Sequence, residues 1–200
     1  MATAHQAPIT FADLLWPARE ASRLLRALLL ALLGSALLTI SAKLEVPFYP
    51  VPMTMQTLVV LLLGMAFGAR LAAATVLLYL AEGATGLPVF AGTPEKGVGI
   101  AYMAGPTGGY LVGFVLAAAV AGWLTARRHD WPGVVLAVPA GTVAVFVPGV
   151  LWLAHLIGFE QSITHGLLPF VWGELLKAAT AVALGVAGAA LIQKRLSDQP

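Results

Sequence analysis

The sequence predicts an all-α integral membrane protein with six transmembrane helices and a partly structured outer loop between the third and the fourth. Three observations carry this expectation. Of the 200 residues, 60% are apolar and only 10% are charged, against ~25% charged in an ordinary soluble domain. Several apolar runs approach or exceed the ~20 residues that cross a hydrocarbon core as helix. Those runs do not alternate apolar with polar residues, as membrane-crossing strands would.

Taken in order, residues 1–22 form a short N-terminal segment. MATAHQAPITFADLLWPAREASRLLR lacks the pattern of a cleavable signal and reads as an interfacial stretch anchored by Trp16. Residues 23–195 form the membrane domain and residues 196–200 a tail. The first span runs from about Arg23 to Leu44. On it Ala27, Ala31 and Ser35 recur every four residues, a small-xxx-small spacing that allows close helix contact, within the fold or with another membrane subunit.

The second span, Thr54 to Phe67, and the third, Ala69 to Gly83, are each short for a full crossing. They are thin or tilted crossings, or one of them partly lines a cavity. The fourth span runs from Gly108 to Ala126, the fifth from Gly133 to Ile157 and the sixth from Pro169 to Lys194. Pro139 and Pro148 are expected to bend the fifth.

Six crossings put both termini on one side, and charge selects the cytoplasm. Arg19, Arg23, Arg26, Arg70, Arg127, Arg128, Lys194 and Arg195 then lie inside, and only Lys43 and Lys96 fall in outer loops. The outer loop between the third and fourth spans is rich in Gly and Pro but carries Leu87, Val89, Phe90, Ile100, Tyr102 and Met103. A flexible tether would lack these side chains, so the loop is expected to pack down as a cap.

The residues also bound the chemistry. There are no cysteines and the net charge is +2, which leaves no disulfide framework, no thiolate chemistry and no basic patch for nucleic acid. His5, His129, His155 and His165 are scattered. Neither an HExxH motif nor a GxSxG elbow occurs. No enzyme chemistry and no metal or cofactor site is expected.

The most informative pair is Glu174 and Lys177, the only charged residues between Leu167 and Ile192. Residues three apart share a helix face. An acid and a base inside a membrane span are costly unless they pair, face a cavity or bind something. The pair either fixes helix packing alone or lines a pocket for a polar head group with donors and acceptors.

Other candidates are weaker. Glu82, near the outer end of the third span, is either a solvated helix end or a second pocket wall. Thr54, Gln56 and Thr57 open the second span, with Thr54 a candidate cap. Met53 and Met55 could line an adaptable apolar wall. Gly105 to Tyr110, GPTGGY, opens the fourth span and offers N–H groups to an anion. Trp152, Tyr79, Tyr102, Tyr110, Phe90 and Trp172 are aromatic candidates for core, interface belt or pocket.

Together these segments resemble the BioY family, the biotin-binding membrane components of energy-coupling factor transporters. PVPMTMQTLVVLLLG (Pro50 to Gly64), YLAEGATGLPVFAG (Tyr79 to Gly92), GPTGGYLVGF (Gly105 to Phe114) and GELLKA (Gly173 to Ala178) are similar to its motifs and stand in the same order. The resemblance covers roughly residues 20 to 195. One departure is Glu174, where the family often has Asp.

The resemblance implies six helices, biotin as substrate, and a multi-pass location in a bacterial plasma membrane. It implies a transmembrane coupling protein and two ATPase subunits as partners, so that ATP acts only through them. It implies that the ureido head of biotin lies near Glu174 and Lys177, with help from Glu82, Gly83 and Gly86. It makes Ala27 and Ala31 the docking candidates. A homo-oligomer, and a binding component for another small vitamin, stay open as alternatives; an intramembrane enzyme is the third.

Overall fold

A computed structural model of the chain describes Thr10, Ala12, residues 23–128 and residues 130–197. The rest of the N-terminal segment, with Trp16, His5 and Arg19, lies outside the described residues, as do His129 and residues 198–200. The elements are α1 (Arg23–Lys43), β1 (Glu45–Val46), β2 (Met53–Thr54), α2 (Gln56–Ala84), α3 (Gly99–Met103), α4 (Gly108–Arg127), α5 (Trp131–Ile157), α6 (Phe159–Gly166) and α7 (Val171–Ser197). A short 3₁₀ turn, Leu168–Phe170, leads into α7. Among the described residues, five helical stretches are long and apolar enough to cross a membrane.

α2 combines the second and third expected spans. Gly68 interrupts it with φ 75° and ψ 167°, a left-handed conformation that glycine adopts without steric cost. Gln56 Nε2 at its start donates to the Tyr79 hydroxyl near its end, at 2.8 Å. In a straight helix those residues would stand ~35 Å apart at 1.5 Å per residue. The element therefore doubles back at Gly68 into two limbs.

The turn rests on α4. A Cβ on Gly122 would lie 2.4 Å from the Ala69 nitrogen, so only glycine lets the two backbones meet there. The same logic joins α4 to α5. A Cβ on Gly113 would lie 2.6 Å from the Val145 carbonyl oxygen, and one on Gly109 would lie 2.3 Å from that of Pro148. Small residues bring membrane helices close enough for dispersion to hold them.

Several boundaries differ from the sequence expectation. Thr54 lies in β2, not at the head of a helix. Met55 is the cap position, and the Thr54 hydroxyl instead accepts from the Gln56 N–H at 3.3 Å. α5 starts two residues early because the Asp130 side chain accepts from the Gly133 N–H at 3.0 Å, and Pro132 suits the first helical turn. Pro139 and Pro148 sit inside α5, which stays helical through both. α6 was not expected, and α7 begins at Val171 because Pro169 belongs to the preceding 3₁₀ turn.

The core is a belt of aromatic and small residues. One cluster joins Tyr79, Phe90, Tyr102, Tyr110, Phe114 and Phe170; another joins Leu58, Leu61, Ala137, Val138 and Ala181. Leucines cover the outer face of α1, with Leu24 74% exposed, as lipid contact requires. The segment between α2 and α4 packs against the helices. Phe90 is buried and stacks on Tyr102 at 4.9 Å, and α3 lies within the segment.

Candidate functional site

Glu174 falls in the first turn of α7, where the positive end of the helix dipole favours a carboxylate. Lys177 follows one turn later, and its ammonium pairs with Glu174 Oε1. Both residues are buried, at 8% and 5% exposure. Lys177 Nζ also donates to the Thr54 carbonyl at 2.8 Å, and the Thr57 hydroxyl donates to Glu174 Oε1 at 3.3 Å. The pair thus ties α7 to β2 and the first limb of α2.

Its valences are not exhausted. An ammonium has three donors and a carboxylate two acceptor oxygens. One N–H of Lys177 and the Oε2 of Glu174 have no hydrogen-bond partner among the described residues. Both residues line a narrow cleft with ≈ 40 Å³ of water-accessible space. Thr54, Gln56, Thr57, Thr107 and Tyr102 supply its other polar groups, and Tyr110, Leu111, Phe114, Val145, Phe146 and Phe170 its apolar walls. A few fixed polar groups in an apolar cleft suit a small ligand with a polar head.

The walls are held from behind. The Tyr110 hydroxyl donates to the Gly166 carbonyl at 2.7 Å, and the ring fills the space left by Gly149. Tyr102 is held by its stack on Phe90. Burial raises the pKa of its phenol above the ordinary range, a hydrogen bond with Thr107 opposes this, and the nearby Glu45 charge adds to it. Tyr102 therefore stays neutral at physiological pH.

Of the expected site residues, Glu174, Lys177, Thr54, Gln56 and Tyr110 meet at the cleft. Others stand away from it. Tyr79 is fully buried one layer back, where it receives the Gln56 bond and donates to the Val89 carbonyl at 3.1 Å. Phe90 lies edge-on to Tyr79 at 5.4 Å. A Cβ on Gly83 would lie 2.0 Å from the Phe90 ring, so this glycine makes room for it. Gly86, with φ 96°, turns the chain after α2.

Glu82 is not among the cleft residues; it accepts from the Ser35 hydroxyl of α1. Trp152 is also outside. Its indole donates to the Gly105 carbonyl at 2.9 Å and so ties α5 to the GPTGG segment. The Gly108 N–H, one of the expected anion donors, is spent on the Gly105 carbonyl at 3.0 Å. Met53 packs against Gly173, while Met55 and Trp172 face outward. On α1, Ala31 and Ser35 are buried against the fold, with Ala27 half-buried at the edge of that contact.

Cleft residues that sequence reasoning missed include Leu111, Val145 and the aromatics Phe114, Phe146 and Phe170. An aromatic inside an apolar span carries no mark of the direction it faces.

The model of the BioY family matches residues 12–194. The chain belongs to the BioY family. A protein named "Probable biotin transporter BioY" from Pyrococcus horikoshii is 37% identical over 149 residues, 74% of this chain and 87% of the relative. "Biotin transporter BioY" of Thermotoga maritima is 34% identical over 163 residues, 81% of this chain and 95% of that one. The fold also matches a solved structure, the S-component for biotin from an ECF-type ABC transporter. The TM-score is 0.72 at 23% identity, covering 92% of this chain and 96% of that one.

All four BioY-like segments reach the cleft. Pro50 to Gly64 supplies Thr54, Gln56 and Thr57; Tyr79 to Gly92 supplies Ala91; Gly105 to Phe114 supplies Thr107, Tyr110, Leu111 and Phe114; Gly173 to Ala178 supplies Glu174 and Lys177.

Proposed function

We propose that this BioY-family chain is the substrate-binding membrane component of a biotin uptake transporter, and that it captures biotin from the outer side in the cleft headed by Glu174 and Lys177. The observation that carries this is the buried pair with one open acceptor and one open donor at an aromatic cleft. A ureido group has N–H donors and a carbonyl acceptor on one edge. Glu174 Oε2 accepts from its N–H, and the open N–H of Lys177 donates to its carbonyl. Tyr102, Tyr110 and the phenylalanines cover the fused rings. Tyr79, Gly83, Gly86 and Phe90 serve from behind by holding the outer segment in place, and Glu82 serves the contact between α1 and α2.

The two limbs of α2 are two crossings, which gives six in all. Charge asymmetry supports both termini in the cytoplasm, with the cleft toward the outer face. Energy from ATP enters through partner subunits, a membrane coupling protein and ATPases. The S-component fold supports this reading. The half-buried Ala27 edge of α1 is the docking surface on this chain.

Competition identifies the substrate. Tritiated biotin bound to the purified protein is displaced by unlabelled biotin and not by riboflavin or thiamine. Displacement by one of those instead would move the chain to another vitamin.

A further inference from the structure

Lys43 is the last residue of α1. A lysine there commonly serves its own helix, whose last carbonyls lack intrahelical donors. This one does not. Its ammonium donates to the Phe90 carbonyl, the Thr93 carbonyl and the Thr93 hydroxyl, each at 2.9 Å. An ammonium has three donors, so one short segment takes all of them. The acceptors lie 47 and 50 residues along the chain.

That segment is part of the cover of the cleft. Ala91 lines the cleft, and Phe90 backs the cleft residue Tyr102 through the ring stack at 4.9 Å. Phe90 and Thr93 are buried. Gly92, with φ 66°, makes the turn that brings their carbonyls round to one point. From below, the segment is held by the Tyr79 hydroxyl on the Val89 carbonyl. From the α1 side it is held by Lys43. Without Lys43 the Thr93 carbonyl would have no donor among the described residues. A polar group that loses its partner gains by turning to water, which here means lifting the segment.

We propose that Lys43 is the latch of the outer segment: a positioning residue, with no ligand contact of its own, that sets how fast the bound ligand leaves. This rests on the reading of the cleft as a biotin site, but the latch itself does not depend on which ligand is bound. Because the bonds are charge-assisted, arginine at this position keeps the function in part and methionine does not.

The test uses purified full-length wild type, Lys43→Met and Lys43→Arg, with two readouts. Without ligand, backbone hydrogen exchange over residues 89–97 speeds roughly tenfold in Lys43→Met, the size of one net charge-assisted bond. Exchange in α4 and α5 stays as in wild type. With tritiated biotin bound and chased, dissociation speeds by a similar factor while association does not slow, and Lys43→Arg lies close to wild type. Unchanged exchange and unchanged dissociation in a folded Lys43→Met protein overturn the proposal, as does equal faster exchange throughout the fold. Should Lys43→Met not fold, Thr93→Val, which removes one of the three acceptors, carries both readouts: faster exchange and dissociation are expected, and no change in either overturns the latch. If wild type binds no biotin, the substrate reading falls and the exchange comparison alone decides the latch.

Discussion

At the residue scale the buried pair does two things at once. Each partner keeps the other from being an uncompensated charge in a low-dielectric site, which is why removing one costs several kcal/mol. Each also keeps one valence for the cleft. The same economy appears one layer behind, where the Tyr79 hydroxyl joins Gln56 to the Val89 carbonyl. Tyr79→Phe leaves the Gln56 amide buried with a lost acceptor, and should lower stability by about 1–3 kcal/mol. A lower thermal midpoint in detergent, with biotin binding weakened but not abolished, is the expected result. The pair was legible in the sequence because two charges stand out in an apolar run. The fate of Glu82 was not. A carboxylate near a helix end says nothing about whether it turns to a cleft or, as here, to Ser35 on the neighbouring helix.

At the element scale, glycines decide where helices meet. The α4–α5 contact places the backbone of Val145 against Gly113. A Cβ there meets backbone atoms, which cannot swing aside as a side chain can. Gly113→Ala should therefore push the helices apart and cost about 1–3 kcal/mol, read as a lower thermal midpoint. Since Tyr110 and Phe114 share α4 with it, weaker ligand binding should accompany the change. The long helices were legible because lipid demands unbroken apolar runs. The β1–β2 ribbon was not, since it pairs only Glu45 with Thr54 and Val46 with Met53. α6 was missed for a related reason: its eight residues, FEQSITHG, are mostly polar and read as a loop between spans. The fold-back at Gly68 was half legible. Two short runs joined by Gly68 announced a break, while the Gln56–Tyr79 bond that reverses the chain is a tertiary contact.

At the scale of the whole molecule, the cleft sits where β2, the start of α2, the start of α4 and the start of α7 converge. Lys43 at the end of α1 reaches the same region. Arg23, at the start of α1, and Arg127, at the end of α4, belong to the far ends of their helices. The proposed orientation, with these ends inside, rests on the charge bias. The chain has no cysteine, so single introduced thiols report it cleanly. Glu95→Cys should react with an impermeant maleimide in intact cells. Arg70→Cys and Asp130→Cys should react only after the membrane is opened. Labelling of Arg70→Cys from outside would reverse the assignment, and no labelling from either side would mean that α2 does not turn at the inner face.

Everything proposed for the cleft depends on Glu174 and Lys177 holding the ligand. Equilibrium binding of tritiated biotin to the purified chain, wild type beside Lys177→Met, puts that to the test. Saturable binding to wild type is expected, with an affinity at least roughly 30-fold lower in a folded Lys177→Met protein, in line with the loss of one partner of a buried pair. Equal affinity in the two proteins, or no saturable binding to wild type, would contradict a ligand held by the pair.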